Sequence, residues 1–167
     1  MVNWIKKSKF LELIEENQDI IHKICNLYAG NEEDRKDLSQ EIVYQLWKSY
    51  QSFRGDAKFT TWMYGVALNT ALLNLRRSRG RNRVVSLEEH HETVQVEVAN
   101  TEKSEGIGRL YLAIGQLREF DRAIILLYLE ELSYQEIAEI TGISENNVSV
   151  RLVRIKKKLK EIFYRGD

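Results

Sequence analysis

The sequence predicts an all-α protein of two small helical domains joined by a flexible acidic linker, the C-terminal domain a helix-turn-helix. Three observations lead there. Apolar residues recur at helical spacing in both halves, no proline interrupts the 167 residues, and charge is segregated although 25 cations balance 25 acids. Residues 54–83 hold seven cations and one acid, 86–105 hold six acids and one cation, and 144–167 hold seven cations and three acids. The domains therefore fall at 1–83 and 107–167, with 84–106 between them. Net charge is zero, so affinity for a polyanion must come from this uneven distribution.

Phe10, Leu13, Ile14, Ile21, Ile24 and Tyr28 form one helical stripe that Gly30 stops. Cys25, the sole cysteine, lies inside that apolar run, which suits packing rather than redox chemistry and leaves no intrachain disulfide. A second helix spans about Asp34 to Tyr50, with Asn31 and Asp34 as start signals and Leu38, Ile42 and Leu46 facing inward. On it Gln40, Tyr44, Trp47 and Gln51 align, with Asp37 and Glu41 alongside. Aromatics among amides and acids suit a protein partner; the competing reading puts Trp47 in the core. A turn on Gly55 and Asp56 opens a third helix, from Asp56 as N-cap to about Arg77.

From Val84 to Gly106 the chain is acidic, polar and poor in large apolar residues, the composition of a linker. The alternating valines of Glu92–Val98 fit a strand, but nothing in the sequence offers to pair with it. Helical spacing resumes from Ile107 to Glu130 through Leu110, Ile114, Leu117, Ile124, Leu127 and Tyr128. Two shorter helices follow, Tyr134–Thr141 and Glu145–Phe163.

Those last two helices have the mechanics of a duplex reader. Ser133 can cap the first, with Glu136 completing a capping box. Ala138 is small where helices cross, Gly142 can take the left-handed turn conformation, and Ser144 can cap the second helix. In that helix Val148, Leu152, Ile155, Leu159 and Ile162 make one apolar stripe, leaving Asn147, Val150, Arg151, Arg154 and Lys158 away from it. Asn146 and Asn147 stand at its N-terminal end, where base edges are met, and Arg151 and Arg154 can reach guanine or phosphate. A hairpin with a merely solvated charged face is the plainer reading. Capping box, small residue, turn glycine and polarised helix together favour DNA.

The segment from Phe53 to Arg83 suits a different ligand. Phe53, Arg54, Lys58 and Thr60 precede a helix on which Trp62, Val66, Asn69, Leu73 and Arg76 share one line. Arg76, Arg77, Arg79, Arg81 and Arg83 follow without an acid among them. Rings, cations, a hydroxyl and an amide together can hold a base pulled out of its stack. Extruding a base costs a few kcal/mol and stacking on a ring returns about 1–3 kcal/mol, so opening a duplex needs several such contacts and another machine.

The stretch DLSQEIVYQLWKSYQSFRGDAKFTTWMYGVALNTALLNLRR resembles the promoter-melting domain of bacterial sigma factors. LREFDRAIILLYLEELSYQEIAEITGISENNVSVRLVRIKKKLKEI resembles their C-terminal domain, and the short two-domain layout resembles the extracytoplasmic-function class. The resemblance implies that Asp37, Leu38, Gln40 and Glu41 meet the clamp coiled coil of the polymerase β′ subunit, beside Tyr44 and Trp47. It implies that Phe53, Arg54, Lys58 and Asn69 hold a flipped base of the minus-10 element, with Thr60 adjoining. Trp62 and Tyr64 match aromatics near the opened strand, and Arg76 and Arg77 match basic residues near DNA. Asn146, Asn147, Ser149, Val150, Arg151 and Arg154 fall on the helix that reads the minus-35 element; the family often carries a basic residue where Ser149 stands. The implied partners are core RNA polymerase, through β′ and the β flap, promoter DNA as duplex and melted strand, and an anti-sigma factor. The linker would run toward the RNA exit path.

Other function classes find less support. There is no phosphate-binding glycine loop and no nucleophile paired with a base, so neither an enzyme nor a cofactor is expected. His90 and His91 are adjacent and not spaced for one helix face, so no metal is expected either. A regulator that binds duplex and a signal would share the C-terminal half but would not need Phe53–Asn69 beside five arginines. The N-terminus lacks the apolar run of a signal peptide, and no segment approaches a membrane span, which points to the cytoplasm.

Overall fold

The computed structural model describes residues 2–82 and 102–165, and these are helical, with no strand among them. The order is α1 Val2–Glu16, α2 Gln18–Tyr28, α3 Glu32–Tyr50, α4 Phe59–Asn82, α5 Glu102–Gly115, α6 Glu119–Leu129, α7 Tyr134–Thr141 and α8 Glu145–Arg165. The expected Glu92–Val98 strand alternative, His90 and His91 lie outside the described residues.

The single first stripe is in fact two helices. Asn17 divides them: its side-chain amide donates to the Leu13 carbonyl at 2.8 Å, competing with the backbone ladder that would have continued the helix. At α3 the expected start is met. The Asn31 side chain accepts from the Asp34 N–H at 2.8 Å, and Glu32, Glu33 and Asp34 place carboxylates at the positive end of the helix. Helix α4 is capped two residues later than expected, at Lys58 instead of Asp56. Gly55 turns the chain at φ +79°, Asp56 stays in the bend, and the carbonyl of Lys58 takes the first helical bond, from Trp62 N–H at 3.1 Å.

Helix α5 starts at Glu102, inside the stretch read as linker. The helical spacing of 107–130 is broken at residues 116–118 by a tight turn, where Leu117 N–H bonds the Ile114 carbonyl at 3.0 Å. Helix α7 has the bounds read from the sequence. Ser133 and Glu136 form the reciprocal capping box, and Gly142 closes the helix at φ +74° with its N–H on the Ala138 carbonyl at 2.9 Å. Ser144 then accepts from the Asn147 N–H at 3.2 Å, starting α8.

In the N-terminal half, α2, α3 and α4 pack around Ile24, Leu27, Leu38, Ile42, Leu46 and Met63, with Phe10 of α1 against them. In the C-terminal half, α5 to α8 enclose Ile114, Ile124, Leu127, Ile137, Val148 and Leu152. Truncating one such side chain to alanine costs about 2–5 kcal/mol. The halves touch: α4 rests on α6 and α7, and α2 rests on α5. Cys25 is buried, and burial pushes its thiol up from 9.0 to about 11, which makes it a packing residue with almost no thiolate at neutral pH.

Candidate nucleic-acid and protein interfaces

The loop between α3 and α4 is held by rings. Phe53 stacks on Tyr50 with centroids 6.3 Å apart, lies 4.9 Å from Trp62 and meets Phe59 edge-on at 5.9 Å. Packing on several sides fixes the half-buried Phe53 and Trp62 while leaving part of each accessible. Around them Arg54 and Lys58 are exposed and Thr60 is half-buried. Asn69 is exposed on α4, in line with Trp62 and with the exposed Leu73 and Arg76. From Trp62 to Arg76 this face runs about 21 Å at the helical rise, and Arg77 lies at its far end. Ring and amide thus share one line along α4, with Arg54 and Lys58 exposed in the loop before it, whereas Thr60 lies about 160° round the helix from Trp62.

Tyr64 is not with them. It lies 200° round α4 from Trp62 at 100° per residue, is 3% exposed, and its hydroxyl donates to Glu130 of the C-terminal half at 3.0 Å. The resemblance implies a role at the opened strand; its angular position puts it at the seam between the halves. Burial together with the Glu130 carboxylate raises its phenol far above the ordinary range.

On α3, Gln40 and Tyr44 are exposed and Trp47 is half-buried with its ring 5.1 Å from Phe10. Lys7, Phe10 and Leu11 of α1 complete an open, mainly apolar groove of about 430 Å³ with Ser39, Gln40, Val43, Tyr44 and Trp47. The sequence reads that segment as one core-facing stripe, which hides the α1 contribution; Leu11, apolar yet off the stripe, is the signal for it, and it is exposed. Asp37 is exposed beside the groove, and Glu41 is half-buried and accepts from Gln45 at 2.9 Å. Leu38, named among the partner-facing residues, is 1% exposed and belongs to the core, where it supports the face rather than forming it.

On α8 the apolar stripe is buried, Val148, Leu152, Ile155 and Leu159 each below 8% exposed, while Asn146, Asn147, Val150, Arg151 and Arg154 are exposed and Ser149 is half-buried. A depression of about 610 Å³ runs along this face, lined by Arg118, Asn147, Val150, Arg151, Arg154 and Lys158 among others. Arg151 is already oriented. Its guanidinium donates to Asp121 at 2.9 Å and lies 5.0 Å from the Phe120 ring centre. Arg118 and Asp121, from the end of the α5–α6 turn and from α6, were not picked out by sequence reading, since only the folded hairpin brings them to α8.

No group of three or more potential metal ligands occurs among the described residues, and no helix among them is long and apolar enough to cross a membrane.

Comparison with known proteins finds a family match in each half. Residues 13–81 match Sigma-70 region 2, and residues 107–159 match Sigma-70, region 4. The ECF RNA polymerase sigma factor SigE of Mycolicibacterium smegmatis is 30% identical over 155 residues, which is 90% of this chain and 60% of that protein. The RNA polymerase sigma factor SigV of Bacillus subtilis is 27% identical over 155 residues, 92% of this chain and 90% of that one. The ECF RNA polymerase sigma-E factor of Escherichia coli K12 is 33% identical over 152 residues, 83% and 79% of the two chains. Among solved structures, sigma factor RpoE of Bartonella quintana, in complex with the anti-sigma factor NepR, matches with a TM-score of 0.77 at 22% identity, over 95% of this chain and 98% of that one. CnrH, in complex with the cytosolic domain of CnrY, matches at 0.68 and 20% identity, over 96% and 91%. The structures share the fold and the sequences share the two matched regions: the chain belongs to the extracytoplasmic-function class of RNA polymerase sigma factors.

Proposed function

We propose that the three surfaces divide the work of promoter-specific initiation, with core polymerase on the α1–α3 groove, duplex on α8 and the opened strand on the α3–α4 loop and α4. The observation that carries this is one chain presenting an amide-and-cation helix face in one half and a ring-backed loop with exposed Asn69 in the other. Asn146 and Asn147 meet base edges of the minus-35 element, Arg151 and Arg154 meet guanine or phosphate, and Ser149 and Val150 fill between them. Phe53 and Trp62 offer stacking surface to an extruded minus-10 base, Arg54 and Lys58 neutralise its backbone, and Thr60 and Asn69 supply hydrogen bonds. Arg76 and Arg77 steer the strand beyond.

Sigma factors supply recognition and the polymerase supplies the chemistry, so no residue here is given a catalytic role. Asp37, Gln40, Glu41, Tyr44 and Trp47 make an acid-rimmed aromatic face for the β′ clamp coiled coil, and the C-terminal half meets the β flap. Two structural neighbours are held with anti-sigma factor NepR or with CnrY; by that likeness an anti-sigma protein is a partner of this chain, and its place of action is the cytoplasm.

Run-off transcription with purified core polymerase on genomic promoter fragments tests the reading. Discrete transcripts that need this protein support it. Failure to bind core, or binding without start-site selection, overturns it.

A further inference from the structure

We infer that Glu130 is the centre of a polar latch that holds the two halves closed, and that the closed chain covers part of its own strand-binding charge. Glu130 follows the last turn of α6, and its two carboxylate oxygens are both taken by the other half. Lys23 of α2 donates to one at 2.7 Å, and the Tyr64 hydroxyl of α4 donates to the other at 3.0 Å. Lys23 is 107 residues away in the chain, so this is a contact of domains, not of neighbours. Two further bonds flank it: the Tyr28 hydroxyl donates to the Glu119 carbonyl at 2.6 Å, and Arg122 donates to the Leu27 carbonyl at 3.1 Å.

The same closure sets carboxylates against cations of the Phe53–Arg83 segment. Glu119 pairs with Arg79, and Glu136 stands 3.8 Å from Lys58. Each carboxylate would compete with a phosphate for its cation. Because the seam bonds are polar, their groups return to water when the halves part, and each contributes little net free energy. Buried apolar side chains of both halves also belong to one hydrophobic cluster, so the polar bonds fix the register of a contact that packing shares. The consequence for DNA rests on the surface assignment proposed above; the latch itself rests only on the bonds.

Charge reversal separates the two. Lys23→Glu and Glu130→Lys each break the central pair, and the double exchange restores it. The full-length proteins are compared by circular dichroism, small-angle scattering and fluorescence anisotropy with labelled oligo(dT) at low salt. Both single variants should keep their helicity, show a larger radius of gyration than the wild type, and bind oligo(dT) about threefold more tightly, from freeing two exposed ion pairs. The double exchange should restore both values. Lys23→Glu decides the matter, since it makes the chain more acidic yet should bind the polyanion better. An unchanged radius in both single variants overturns the latch. If both expand while affinity merely follows net charge, up for Glu130→Lys and down for Lys23→Glu, the covering of strand-binding charge is overturned. Neither readout uses polymerase, so either failure is distinct from failure of the run-off test.

Discussion

Phe53, in the loop after α3, and Trp62, in the first turn of α4, lie with ring centroids 4.9 Å apart. The pair belongs to a chain of rings. Trp47 packs on Phe10, Phe10 on Tyr50 at 5.1 Å, and Tyr50 on both Phe53 and Trp62. The groove on α3 and the loop proposed to receive a base are therefore two ends of one aromatic layer, and a loop with few backbone bonds gains its shape from side chains.

This makes Phe53 and Asn69 separable. Phe53→Ala removes both a stacking surface and part of the layer, so it should weaken promoter opening and also cost about 1–3 kcal/mol of stability. Asn69→Ala removes an exposed amide and should weaken opening with no change in thermal midpoint. Permanganate reactivity of the minus-10 thymines, read beside calorimetry, checks both. Normal melting by the two variants would remove this pocket from the mechanism.

On α8, Arg154 and Arg151 should behave differently although both are exposed. Arg154→Ala should cost about 1–3 kcal/mol of duplex affinity and relax discrimination at one base pair if it grips guanine. Arg151 is held by Asp121 and Phe120, so Asp121→Ala should loosen it, reducing discrimination between minus-35 sequences while raising nonspecific affinity as a carboxylate is lost. Competition binding with mutated minus-35 duplexes measures both. A loss at Arg154 no larger than at distant Lys48 would take it out of the base-reading set.

What was legible in the sequence follows from how local each signal is. The capping box of Ser133 and Glu136 and the left-handed Gly142 act within a few residues, and the bounds of α7 matched. Asp56 has the right chemistry for an N-cap, yet the positive φ of Gly55 carries the chain further before the helix can begin. Asn17 broke a stripe whose apolar spacing reads straight through it. Leu38 and Tyr64 took their contact roles from resemblance; helical spacing already turned Leu38 inward, whereas the burial of Tyr64 depends on which face of α4 meets the other half. The seam around Glu130 was invisible because it joins segments with no shared periodicity.

The groove on α1 and α3 predicts a contrast between a surface and a core leucine. Leu11→Ala and Tyr44→Ala remove exposed groove-lining surface and should each weaken core polymerase binding about tenfold, with unchanged melting temperature. Leu38→Ala should instead lower the melting temperature, at a cost of about 2–5 kcal/mol, with polymerase affinity falling only as the folded fraction falls. Biolayer interferometry against core enzyme, beside thermal melts, checks it; a stable Leu38→Ala that fails to bind would return Leu38 to the contact surface.

Stability should fall on the alkaline side, and the sign follows from the direction of four shifts. Burial raises the Cys25 thiol from 9.0 to about 11 and raises the phenols of Tyr28 and Tyr64 above their ordinary value. At Lys23 burial works against the ammonium, but Glu130 and Asp19 outweigh it and the group ends higher than usual. In each case the unfolded chain releases a proton that the folded chain still holds. The stabilisation is whole below the unfolded pKa and is lost as pH rises, by up to about 1.4 kcal/mol per pH unit for each group in its window. The thiol window opens first, from 9.0 toward about 11. Cys25→Ala should therefore be destabilised at neutral pH by lost packing, yet its stability should stay flat between pH 9.0 and 10.0, where the wild type has begun to decline, and fall only once the phenols and Lys23 enter their own windows. Urea midpoints measured across this range read the slope directly, and equal slopes in the two proteins would show that the thiol does not set the alkaline limit.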